Sequence, residues 1–188
     1  MKYDFDTVRK RKDTDSLKRN ASENGLSMCT ADMFFNTAPE VRSVMEGLAA
    51  QGIFGEQPVT EEWRLAYTGW WKERYGFLMD KDWLVFSTGI IPAISSIIRK
   101  LTTPGEQVLL LTPADDCLFA AITDNGRQVL ESPLKYDGER YRVDFRDLEH
   151  KLSDPQTTLM ILGNPHAPAG ILWDRETLAA VGALCAKY

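Results

Sequence analysis

Two short turns in this 188-residue chain carry residue types that ligand chemistry needs. The first, Ser87-Thr88-Gly89, follows the apolar run WLVFS at 83–87 and leads directly into a stretch of helical period. A glycine at such a junction lets backbone approach a ligand, and the free N–H groups of Gly89, Ile90 and Ile91 with the helix dipole make an anion site; the same turn also serves as a plain connection. The second, Gly163-Asn164-Pro165-His166, lies within LGNPHAPAG at 162–170, where Pro165 and Pro168 stiffen the exit from another apolar run. His166 there is either a functional imidazole or a turn residue. His150 and His166 are the only histidines and neither has a second ligand at helical spacing. Cys29, Cys117 and Cys185 stand far apart with no CxxC pair, so reduced thiols are expected and a metal site is not.

The elements that must position these turns follow from periodicity. Pro39 opens a helix with Val41, Val44, Met45 and Leu48 on one face, ended by Gln51-Gly52. A second helix after Thr60 lines up Trp63, Ala66, Tyr67, Trp70 and Trp71, expected to be a buried packing face rather than a ligand platform, and Gly76 stops it. Strands are expected at 83–87, 107–113, 128–134 and 158–165. Between them, a helix buries Ile90, Ala93, Ile94, Ile97, Ile98 and Leu101; another begins at Asp115-Asp116 and ends at Asn125-Gly126; a third is capped by Asp144, with Asp147 three residues on. Tyr136-Asp137-Gly138-Glu139 is a hairpin turn. Asp174 caps a last helix in which Leu178, Val181, Leu184 and Cys185 share a side and Trp173 staples to Leu178. Alternating strands and helices give an α/β fold with a mainly parallel sheet, whose ligands collect at strand carboxyl ends. Residues 1–28, polar and without period, read as an extended arm, so the organisation expected is an arm over 1–38 and an α/β domain over 39–188.

Composition narrows the partners. The net charge is −5 and the pI about 5.1, so no basic field draws the chain to nucleic acid or an anionic membrane. The run Arg9-Lys10-Arg11-Lys12 is offset by Asp4, Asp6, Asp13 and Asp15 and reads as a solvated segment. The start, MKYDFDTVRK, lacks the apolar core of a signal peptide, and no window approaches the roughly 18 apolar residues of a membrane span, so a cytoplasmic protein is expected.

Taken in order, ADMFF, IFGE, VFSTGII, PGEQVLLLTPA, NGR, KLSDP and NPHAPAG carry a specific resemblance. The chain resembles, over essentially its whole length, the N-terminal half of the MalY/PatB group of pyridoxal-phosphate-dependent enzymes. These are cystathionine, or cysteine-S-conjugate, β-lyases of the class I/II aminotransferase superfamily. The resemblance implies a partial fold-type-I large domain, pyridoxal 5'-phosphate as cofactor, an amino-acid substrate, and either a homodimer or a complementary C-terminal chain as partner. The family's imine-forming lysine, its pyridine-pairing acid in an SDEIH strand and its carboxylate-binding arginine all fall beyond residue 188, so these residues hold no counterpart of the catalytic lysine.

Residue by residue, the resemblance puts the cofactor's phosphate turn at Gly89 and Ile90. The family's cross-subunit tyrosine after Ile-Phe-Gly is Glu56 here, its ring-stacking tyrosine in Pro-x-Tyr is Asp115, and the second Asn of NPHNP, a donor to the cofactor's phenolate, is Ala167. One stack and two hydrogen bonds at roughly 1 kcal/mol each correspond to about a hundredfold loss in cofactor affinity. The expectation is therefore a truncated, inactive chain of the carbon–sulfur β-lyase or aminotransferase type, the alternative a non-catalytic degenerate fragment or one half of a split protein acting through protein association. The family's sheet inserts further strands between its first strand and the later ones, so open strand edges and a need for a partner are also expected.

Overall fold

The four residues Val108 to Leu111 are all buried, and they explain the architecture of the second half of the chain. The computed structural model of the protein describes residues 3–7 and 31–188, which fall into two units, Met1–Thr60 and Glu61–Tyr188. The polar stretch carrying Arg9 to Lys12, most of the expected arm, and Cys29 lie outside the described residues.

In the second unit a parallel sheet runs in the order β2-β1-β5, with β1 at Gln107–Thr112, β2 at Gln128–Pro133 and β5 at Thr157–Ile161. Successive side chains of a strand point to opposite faces, and the central β1 feeds two cores in this way. Val108 and Leu110 join Ile98 of α3 (Ile90–Leu101) and Ala121 and Ile122 of α4 (Asp116–Thr123). Leu109 and Leu111 join Leu148 and Leu152 of α5 (Phe145–Leu152), Val181 of α6 (Arg175–Lys187), and Trp173. Helices thus cover both faces of a parallel sheet, the layering expected from the sequence. Between β2 and α5 a two-stranded hairpin, β3 (Lys135–Tyr136) and β4 (Tyr141–Arg142), turns at Gly138, whose φ is +100°.

The caps behave as their sequences dictate. Asp144 accepts a hydrogen bond from the Asp147 amide, and Asp174 accepts one from the Thr177 amide at 2.7 Å. Arg127 is buried and satisfied without a carboxylate. Its guanidinium donates to the Thr102 hydroxyl at 2.8 Å and to the carbonyls of Thr102 and Asn125, tying the end of α3 to the end of α4.

Three expectations are corrected. Residues 84–87 are not a strand: Lys81–Trp83 form a 3-10 turn, the chain then runs irregularly to Gly89, and Val85 is 88% exposed. An apolar run becomes a strand only beside a partner, and among the described residues none lies next to it. The apolar stripe of α3 is wider than the surface that covers it. Ile91, Ile94 and Ile98 pack inward, whereas Ile90, Ile97 and Leu101, expected in the core, are exposed. The aromatic face of α2 (Glu61–Tyr75) has no buried residue; its rings pack on one another, with Trp63 stacked on Tyr67 at 5.8 Å and edge-on to Phe86 at 5.9 Å. In the first unit α1 (Pro39–Gln51) ends at Gly52, whose φ is +66°, and leaves Val41, Val44, Met45 and Leu48 exposed. No helix among the described residues is long and apolar enough to cross a membrane.

Candidate functional site at the strand ends

Because β1 and β5 are parallel neighbours, their carboxyl ends deliver two turns to the same end of the sheet: Pro113-Ala114-Asp115 after β1 and the 162–170 turn after β5. The peptides Thr112–Pro113 and Asn164–Pro165 are both cis. His166, only 4% exposed, joins the two turns by a 2.8 Å hydrogen bond between its Nε2 and the Pro113 carbonyl. A carbonyl only accepts, so Nε2 carries the proton.

The 162–170 turn is closed by its own backbone. The amide of His166 donates to the Ile171 carbonyl at 2.7 Å and the Ile171 amide returns a bond to the His166 carbonyl at 3.2 Å. Gly170, at φ +63°, reverses the chain after the single 3-10 turn Ala167–Ala169, a conformation that favours glycine. Trp173 then folds back. Its indole N–H donates to the Gly163 carbonyl at 2.9 Å, its amide to the Asn164 Oδ1 at 3.3 Å, and its ring lies 5.6 Å from that of His166. Asn164, His166 and Trp173 therefore fix the turn that carries Ala167.

Between the turns lies a cleft of about 60 Å³. Asp115 and Ala167 both line it, with Ala114, Leu118, Ile161, Gly163, Pro165, His166 and Pro168 among the other contributors. Its lining holds one carboxylate, no lysine or arginine, and no phenol or carboxamide. Asp115 also occupies the N-cap position of α4, where its side chain makes no capping hydrogen bond. Two candidates for one site, 52 positions apart in sequence, are thus brought together. Gly89 and Ile90 are not in that lining; they open α3, both exposed, and Ser87 Oγ donates to the Gly89 carbonyl at 3.0 Å. Gly89 has extended backbone at φ 166° and is the N-cap of a 12-residue helix. Glu56 is exposed in the first unit.

The role of His166 was not legible beforehand. Its acceptor is 53 positions away, and a carbonyl leaves no signature in a sequence. The same holds for Trp173, whose apolar contacts suggest a staple but whose N–H finds a partner only once the turn has folded. Cys117 and Cys185 are free and exposed, and Cys185 Sγ lies 3.7 Å from the Met160 sulfur.

The profile of the aminotransferase class I and II family matches residues 24–188. Cystathionine beta-lyase PatB of Bacillus subtilis is 34% identical over 190 residues, a match covering 98% of this chain and 49% of the relative. Protein MalY of Escherichia coli is 28% identical over 164 residues, covering 87% of this chain and 42% of the relative. Among solved structures, cystalysin from Treponema denticola, which contains pyridoxal 5'-phosphate, superposes with a TM-score of 0.90 at 28% identity, covering all of this chain and 50% of that one. The chain spans about half the length of the curated relatives it matches. A three-stranded parallel sheet covered on both faces, the paired turns at its carboxyl end and these matches lead to one conclusion: the chain belongs to the aminotransferase class I and II family.

Proposed function

We propose that residues 1–188 form the N-terminal part of a carbon–sulfur β-lyase-type scaffold whose cofactor is pyridoxal 5'-phosphate and whose substrate is an amino acid, and that these residues by themselves neither hold the cofactor tightly nor catalyse. The observation that carries the reading is the cleft at the ends of β1 and β5, where Asp115 and Ala167 meet. By family resemblance these positions stack on the pyridine ring and donate to its phenolate; a carboxylate and a methyl group do neither. The cleft's one charged group is moreover an anion facing an anionic cofactor. Asp115 and Ala167 do not fit pyridoxal phosphate, offering it neither a stacking ring nor a hydrogen-bond donor.

The direct test is to mix the purified chain with pyridoxal phosphate, dialyse, record the visible imine band, and assay pyruvate release from cystathionine. The expected result is no retained band and no pyruvate. A band that survives dialysis, or sustained pyruvate release, overturns the reading.

A second reading, association with another chain, draws support from the uncovered apolar surface: Val85, Phe86, Ile90, Ile97 and Leu101 are all exposed, and β5 is an edge strand. A homodimer or a complementary C-terminal chain is its occupant. Light scattering on the purified chain is expected to report a dimer or larger species, and a monodisperse monomer with cooperative unfolding counts against it.

A further inference from the structure

The second unit holds a cleft larger than the one at the strand ends. It measures about 720 Å³, within the range of small-molecule sites, and lies between the β3–β4 hairpin and the segment leading into α6. The two clefts share no lining residue; the Gly163–Asp174 stretch supplies residues to each.

Its chemistry is mixed in a particular way. Val143, Ile171 and Trp173 are partly or fully buried and supply apolar surface. Tyr136 and Tyr141 add two rings packed together at 4.7 Å; the Tyr136 hydroxyl is already spent on the Gly138 carbonyl at 2.7 Å, so what that side chain offers is its ring. Charge of both signs completes the lining: Arg140 and Arg142, Glu139 and Asp174. Arg142 is engaged, its Nε 3.0 Å from Asp137. The Arg140 guanidinium makes no hydrogen bond or ion pair among the described residues; only the main chain of Arg140 bonds to Asp137. The Asp174 carboxylate caps α6, accepting from the Thr177 amide at 2.7 Å and also from the Thr177 hydroxyl and the Glu176 amide, and with about four lone-pair sites an exposed carboxylate has room for a further donor.

This pattern discriminates among ligands. A phosphate or other dianion would meet Glu139 and Asp174, and a simple cation would meet Arg140 and Arg142, so each is opposed by half of the charges. A molecule with one anionic end, one cationic end and an apolar body is opposed by neither. We propose that this cleft binds a small free amino acid with an aromatic or branched apolar side chain, its carboxylate on Arg140, its ammonium on Asp174, and its side chain against Tyr141, Ile171 and Trp173. The site is separate from the cofactor positions and needs no pyridoxal phosphate, so it stands or falls independently of the lyase reading.

The experiment is calorimetric titration of the full chain, without cofactor, with L-phenylalanine and with L-leucine. L-Phenylalanine methyl ester and N-acetyl-L-phenylalanine each remove one charge and serve as matched probes. Saturable binding of at least one free amino acid is expected, weakened about tenfold or more by either blocked analogue, by Arg140→Ala, and by Asp174→Asn. Asn remains a good helix cap, so the last variant keeps α6 while removing the charge, and circular dichroism of each variant confirms the fold. Binding of neither amino acid overturns the proposal, as does binding that the blocked analogues and both variants leave unchanged.

Discussion

Arg127 and His166 show how much at the residue scale rests on acceptors far away in sequence. Arg127 donates three hydrogen bonds to the ends of α3 and α4 while nearly buried, so Arg127→Ala leaves the Thr102 and Asn125 oxygens short of partners. A loss of about 2–3 kcal/mol is expected, read as a lower urea midpoint with unchanged slope. His166→Ala removes the link from the 162–170 turn to Pro113 and uncovers one side of Trp173. A loss of about 2 kcal/mol is expected, with a red shift in the tryptophan emission of the folded chain; an unchanged spectrum and midpoint would show that the two turns hold together without the imidazole. The sequence displays Asn164, Pro165, Pro168 and Gly170 as a rigid turn because Pro and Gly act locally. It is silent on the roles of Arg127 and His166 because Thr102 and Pro113, which accept from them, stand 25 and 53 positions away, while the Asn125 carbonyl, though only two residues from Arg127, is one that any residue would supply.

At the scale of elements, caps and turns were legible and coverage was not. Asp137 organises the β3–β4 hairpin by accepting from the amides of Arg140 and Glu139, and its carboxyl is held down at about 2, chiefly by the Arg140 amide, then by Glu139 and the Arg142 side chain. A carboxyl lowered in the folded state contributes stability that is complete above its ordinary value near 4 and is lost as pH falls towards 2. Asp137→Asn is therefore expected to lower stability at neutral pH and to flatten the profile between about pH 4 and 2, so that variant and parent converge near pH 2, as followed by thermal melts from neutral pH down through that range. An unaltered acid limb would show that the hairpin does not depend on that ionised turn. The helices at 90–101 and 61–75 were readable from period, yet which side is buried depends on what lies opposite. Ile98 meets the sheet and Ile97 does not, although the sequence presents both as isoleucines on an apolar stripe. Residues 84–87 illustrate the same limit for strands, because the ladder that would define one needs a neighbour.

For the whole molecule, a central strand buried on both faces was visible as the run QVLLLT, and the parallel α/β layering followed from the alternation of elements. The functional consequence was visible only in part. The family could be recognised from its turns, whereas the meeting of Asp115 and Ala167 in one narrow cleft is a product of the β1–β5 pairing. Residues 1–188 carry part of the aminotransferase class I and II fold, and the function proposed above holds that by themselves they lack the groups that grip pyridoxal phosphate. Equilibrium dialysis of the purified chain against pyridoxal 5'-phosphate tests that claim most directly. The account predicts no saturable uptake at micromolar cofactor; retention of one pyridoxal phosphate per chain at that concentration would contradict it.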